Sequence, residues 1–406
     1  VIDALGYLLS YPYIDPLLGE MSCSSFTKPP HHMKVQQHLW REGKGWAKTP
    51  EALFQPNLIF AFGAIDALAN DSVFSEIRKV YPQADVVLAS TAGEIHGDEV
   101  SDHTVSVTAC SFERTSLKVV VGNVADCANS FECGRSITAQ LKGQGLCHIL
   151  VFSDGISVNG DDLVKGINND LSADVVVTGG LAADAGRFTK TLVGANAEPE
   201  ANRIVAIGFY GDKLRITHGS HGGWDLFGPV RVVTKAVDNV LYELDGENAL
   251  EIYKRYLGPR ASELPGSALL FPLCILGADR DSQLVRTILS VDDAAGTLRF
   301  AGNIPMGAQV QFMMANFDRL VDGAAKAAEQ SNDLSPELVL MVSCVGRKVV
   351  LDQRIEEEVE SVCQYFGNNA AYTGFYSNGE ISPQLGSTHC SLHNQTMTIT
   401  TYHEVE

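Results

Sequence analysis

No stretch of this 406-residue chain is long and apolar enough to read as a membrane span. The nearest, Val1 to Leu18, is interrupted by Asp3, Pro12, Asp15 and Pro16 and has no basic residue ahead of it. It therefore reads neither as a span nor as a signal peptide. Met21 or Met33 would serve as a start, and residues 1–45 are expected to form a poorly ordered arm without functional residues. Paired cysteine spacing is missing too. The nine cysteines are an odd number and none stands in a CxxC pair, which excludes a zinc ribbon and suggests no disulfide framework. A reducing cytoplasm suits that pattern. Basic side chains are scarce: 30 Lys and Arg against 49 Asp and Glu leave a net charge of −19. So acidic a surface repels phosphate backbones and anionic lipids, which argues against nucleic acid and membrane surfaces as partners. GxGxxG and P-loop patterns are absent, so the glycines at 155, 160, 179 and 180 do not point to a nucleotide.

What is present is a folding composition, 45% hydrophobic and 19% charged, in a chain too long for one ordinary core. A pattern recurs three times along it: an apolar strand, a helix, a second apolar strand running into glycine, then a third strand. The first copy begins with Leu58-Ile-Phe-Ala-Phe-Gly63 and has Val73, Ile77 and Val80 on one helix face. Asp85 to Ser90, Gly93-Glu-Ile95 and Thr104 to Thr108 follow. The second begins at Ile149 to Ser153, with Leu163, Ile167 and Leu171 on its helix, then Asp174 to Gly180 and Arg203 to Gly208. The third begins at Val339 to Ser343, with Ile355, Val359, Val362 and Phe366, then Ala371 to Tyr376, Gly379-Glu-Ile381 and Thr396 to Thr400. Such units predict an α/β fold of two domains, with mixed β-sheets flanked by helices. The expected division is an arm over 1–45, an α/β domain over 46–211, a connecting strand-turn-helix region and linker over 212–265, and a second α/β domain over 266–406. Asp245-Gly-Glu-Asn248 reads as a turn and helix cap, and Pro259 to Pro265 as the linker.

Taken in order, Ser90-Thr-Ala-Gly-Glu-Ile95, Phe152-Ser-Asp-Gly155 and Thr178-Gly-Gly180 resemble the N-terminal half of FIST-domain proteins. His221-Gly-Gly-Trp224, Tyr242-Glu-Leu-Asp-Gly246, Ser343-Cys-Val-Gly-Arg347, Gly379-Glu-Ile-Ser-Pro383 and Leu392-His-Asn-Gln-Thr396 resemble the C-terminal half. The resemblance runs over roughly 55–402. It implies an intracellular ligand-sensing module, here without an output domain of its own. The most specific expectation it carries is haem-based nitric oxide sensing that regulates a separate histidine kinase or a diguanylate cyclase or phosphodiesterase of cyclic di-GMP. A homodimer is one assembly it allows. The alternative ligand is an amino acid or related metabolite.

For haem b, bound without covalent attachment because no CxxCH occurs, the candidate iron ligands are His393, His221, His218 and His96. Each has a competing reading as a hydrogen-bonded turn histidine. The ligand pocket is expected from Cys344, Gly346, Arg347, Phe375, Tyr376, Gly379, Glu380, His393 and Asn394, at the ends of strands. Arg347 would grip a carboxylate or propionate, or else pair with Glu380. Glu380 would hold an amine, or serve a turn. Phe375 and Tyr376 would wall a flat ligand, or belong to the core. A hydrolase with Cys344 or Ser153 as nucleophile is the other class, although no GxSxG elbow surrounds Ser153.

Overall fold

A computed structural model of the chain describes residues 33–406 apart from 70, 278–282, 333–334, 385–386 and 388, all within one compact unit spanning 32–406. Most of the stretch expected to be a loose arm thus lies outside the described residues. Its end does not behave as an arm: β1 (Lys34–Arg41) is a sheet strand, because its backbone pairs residue by residue with a later strand from Lys34↔Ser111 to Arg41↔Thr104.

The three sequence copies are three structural units. The first is β2 (Leu58–Ala64), α1 (Asp71–Val80), β3 (Asp85–Thr91), β4 (Glu94–His96) and β5 (Thr104–Ser111). The second is β6 (Leu146–Ser153), α2 (Gly160–Asn169), β7 (Val176–Leu181) and β8 (Arg203–Tyr210). Two long strands follow, β9 (Leu214–His221) and β10 (Asp225–Val237), then the helices α3 (Ala249–Leu257) and α4 (Phe317–Ser331). The third unit is β11 (Leu338–Cys344), α5 (Val345–Leu351), α6 (Ile355–Phe366), β12 (Ala371–Ser377), β13 (Gly379–Pro383), β14 (Cys390–His393) and β15 (Met397–Glu404). The helices form where the apolar spacing and the caps agree. Val73 and Ile77 of α1 are buried, and Asn159 and Asn248 cap α2 and α3 by accepting from the amides of Asp162 and Glu251. Asp161 and Asp162, in the first turn of α2, do other work. Asp161 forms a buried ion pair with Arg286 at 2.8 Å, and Asp162 accepts from Asn303.

The fold is mixed α/β. Sheet one orders β3, β2, β5 and β1; sheet two β14, β13, β7, β6 and β8, edged by the strand Ser116–Asn123; sheet three β9, β15, β11, β12 and β4, with sheets one and three also carrying short flanking strands. A fourth, eight-stranded sheet contains β10 and packs on α3. Strands from either side of residues 212–265 share sheets, since β4 pairs β12 and β7 pairs β13, and β9, within that stretch, pairs β15. The expected linker is a 3-10 turn, Gly258–Glu263, and Ala261 and Leu264 pack against the fourth sheet's core. Sheets one to three meet on one apolar centre, where Phe62 lies 4.7 Å from Phe375 and 5.4 Å from Phe152, ring centre to ring centre. One disulfide, Cys127–Cys133, joins cysteines that the spacing rule did not pair, because five intervening residues fall outside the short motifs it recognises.

Candidate functional site

In each unit two neighbouring strands run parallel: β2 with β3, β6 with β7, and β11 with β12. Their carboxyl ends converge. The Ala92 amide donates to the Tyr376 carbonyl at 2.8 Å, the Asn378 amide to the Leu181 carbonyl at 3.2 Å, and the Ser90 hydroxyl to the Ala183 carbonyl at 2.8 Å. Ends of parallel strands are where open α/β sheets place ligands.

Two chain crossings lie side by side at this junction. After Ser377 the chain leaves sheet three, turns at Asn378 and joins sheet two as β13, with Leu181 opposite Gly379. It comes back along β14, where His393 faces Glu380, and passes through Asn394 and Gln395 to sheet three, where Met397 faces Ser343. Gln395 takes a positive φ of 63° to make that return. Its side chain sits where a side chain on Gly346 would be, so residue 346 must lack a Cβ.

Glu380 is fully buried between the crossings. Its carboxylate accepts from the Ser377 hydroxyl at 2.9 Å, and from the Thr396 hydroxyl and amide at 2.8 and 3.1 Å. Burial raises its pKa to about 8 against the opposing pull of these bonds, so at neutral pH the group is uncharged and can donate. Without a ligand, Glu380 therefore offers an ammonium no standing negative charge.

Three amide side chains on the two crossings have nothing to bond. Asn378, Asn394 and Gln395 are 8, 1 and 0% exposed, and none of their six amide nitrogen and oxygen atoms has a hydrogen-bond partner among the described residues. An unsatisfied buried polar group costs roughly 1–3 kcal/mol, so such a cluster calls for something that completes it. Asn394 was expected from sequence. Asn378 and Gln395 were not, although Asn378 adjoins one of the quoted motifs and Gln395 lies within another.

The remaining expected residues have other tasks. Arg347 does not pair with Glu380. Its Nε and Nη2 donate to Glu358 at 2.9 and 2.7 Å, Nη2 also to the Leu320 carbonyl at 2.7 Å, and Nη1 to the Gly222 carbonyl. Tyr376 and Ser343 donate to the other Glu358 oxygen at 2.8 and 3.1 Å. Glu358 sits on α6 beside the apolar stripe, and its side chain is fully buried. Phe375 belongs to the apolar centre rather than a ligand wall. Gly379 packs against Leu181 and Leu392. Cys344 is buried and its thiol is pushed well up, the wrong direction for a nucleophile, while the Ser153 hydroxyl donates to the Asp154 carbonyl at 3.1 Å.

Haem needs an open imidazole nitrogen facing an apolar slot. His393 is buried with Nε2 2.9 Å from the Ser382 carbonyl, and burial lowers its pKa to about 4. His96 uses Nδ1 on Ser106 at 3.1 Å. His218 and His221 stand three residues apart on β9 and so face opposite sides. His218 does border a cavity, but Thr217, Ser220, Gln330 and Ser331 line it with polar groups. As placed, His393, His96 and His218 do not fit haem b. Among the described residues no three His, Cys, Asp or Glu side chains are placed to hold a metal ion.

Comparison with known families covers both halves of the chain. The FIST N domain model matches residues 57–247 and the FIST C domain model residues 249–383. The chain belongs to the FIST family. FIST domains carry a sensory, signal-transducing role, and that coarse function applies here. An uncharacterised protein of Methanocaldococcus jannaschii is 22% identical over 339 residues, which is 77% of this chain and 64% of that protein. The chain therefore spans less than two thirds of that relative's length. Among the described residues of this FIST protein, no helix is long and apolar enough to cross a membrane.

Proposed function

We propose that this FIST protein senses a small, uncharged, polar molecule enclosed between Asn378, Asn394, Gln395 and Glu380, and signals occupancy to a separate cytoplasmic partner, with a histidine kinase or a cyclic-di-GMP enzyme the leading class. The six unpartnered amide atoms carry this reading. A ligand offering both donors and acceptors would satisfy them together with the protonated Glu380. A charged ligand is disfavoured, because the buried Arg347 is already bonded to Glu358. The site is closed over, so a ligand must enter while the Asn378 and Asn394–Gln395 crossings are apart and be held when they close. That difference in affinity between open and closed forms is what a sensor requires.

The amino-acid alternative loses its two charged anchors, Arg347 and Glu380, and haem-linked nitric oxide sensing draws no support from the histidine surroundings. The test is native mass spectrometry and thermal-shift measurement of the purified protein against a panel of neutral amides, nucleobases, amino acids and hemin. Neutral amide-like compounds should raise Tm, and Asn394→Leu should abolish the rise. Binding confined to hemin or to zwitterionic amino acids would overturn the reading.

A further inference from the structure

A cavity of about 390 Å³ lies away from the Glu380 centre, beyond the far end of β13, between the edge strand β9, the start of β7 and the last turn of α4. Its volume is in the range of small-molecule sites, roughly 300–1,000 Å³. Val176, Ile216 and Pro383 supply its apolar wall, and no lining residue carries a formal charge at neutral pH, since burial lowers the pKa of His218.

The polar groups in it have unspent bonding capacity. Neither ring nitrogen of His218 has a partner among the described residues, and the buried Ser220 hydroxyl has none. His218 and Ser220 are two apart on β9 and so share a face. Gln330 accepts the Ser220 amide at 3.2 Å through Oε1, which leaves its Nε2 to donate. The carboxyl end of α4, at Gln330 and Ser331, also turns a partial negative charge toward the space.

From these features we infer a second ligand site, for an uncharged polyol of monosaccharide size. A neutral imidazole and a serine hydroxyl can each donate or accept, and so can a ligand hydroxyl, so every pairing can be completed. The C–H faces of such a molecule suit Val176 and Pro383. A charged ligand would lose its hydration with no counter-charge to replace it.

The experiment is ligand-observed NMR on the whole protein with myo-inositol and glucose, beside glucuronate and glucosamine of similar size, while the His218 ring resonances are followed. The neutral pair should bind and shift His218, with the charged pair at least tenfold weaker. His218→Phe, which keeps the ring volume, and Ser220→Ala should each weaken binding about tenfold with an unchanged circular dichroism spectrum. Silence of His218 toward both neutral polyols, equal binding of the charged pair, or unaltered affinity in a folded His218→Phe variant would overturn the proposal.

Discussion

Glu94 and Glu380 occupy equivalent cradles in two different sheets. The Thr104 amide and hydroxyl donate to one oxygen of Glu94 at 3.2 and 2.6 Å, as those of Thr396 do to Glu380, while Thr91 and Ser377 donate to the other oxygens. The residue before each threonine, His103 or Gln395, has a positive φ, 57° or 63°. The first and third units thus repeat a hydrogen-bonded node as well as a strand order. In the first unit the node borders an open cleft of about 230 Å³ with Ile65, Asp102 and Arg187; in the third the residue before the threonine, Gln395, is one of the unpartnered amides.

The paired carboxyls predict a pH dependence with a definite sign. Burial raises Glu94 to about 7 and Glu380 to about 8, from an ordinary value of 4.5. Below that ordinary value both folded and unfolded chains hold the proton. As pH rises the unfolded chain ionises first, so the folded state loses stability progressively until pH passes about 7 for Glu94 and about 8 for Glu380. His148 and His393, lowered to about 3 and about 4, act the opposite way up to the ordinary histidine range. The clean measurement is therefore a difference. Urea unfolding of Glu380→Gln against the native protein should show the variant gaining roughly 1 kcal/mol or more in relative stability between pH 5 and pH 8.5. A flat difference would remove the buried, protonated Glu380.

Arg347 is predicted to be a structural residue. Replacing it by Met leaves Glu358 buried without its counter-charge, which should cost roughly 3–5 kcal/mol in urea unfolding. Adding Glu358→Gln should recover part of that loss. A stable Arg347→Met protein with altered ligand response would instead assign the side chain to recognition.

Phe62 joins three sheets, so its truncation should be felt in all of them. Phe62→Ala is expected to cost about 3–5 kcal/mol. Hydrogen exchange should quicken in β2, β6 and β11 together. Acceleration confined to β2 would mean that the sheets unfold independently.

The three units were legible because apolar runs such as Leu58–Gly63 and Val339–Ser343, and the stripe of Val359, Val362 and Phe366, report burial directly through their period. Their mutual arrangement was not. That β12 hands the chain to β13 in another sheet depends on pairing between Leu181 and Gly379, nearly 200 positions apart, and a local pattern cannot encode it. The same limit shaped the site. Glu380 and Asn394 stood out by their motifs, but the partner of Arg347 was misjudged because Glu358 lies on a helix that sequence places only approximately. Gln395 was legible only as a motif member, because the positive φ that turns it toward Gly346 is set by the return to sheet three.

The central claim is that Asn378, Asn394 and Gln395 are kept unsatisfied for a ligand. Asn394→Leu tests it most directly, with urea unfolding of the ligand-free protein and thermal shifts against the neutral amide and nucleobase panel. Removing two orphaned atoms should stabilise the ligand-free protein by about 1–3 kcal/mol and abolish the ligand-induced rise in Tm. Destabilisation together with an undiminished thermal shift would contradict the account.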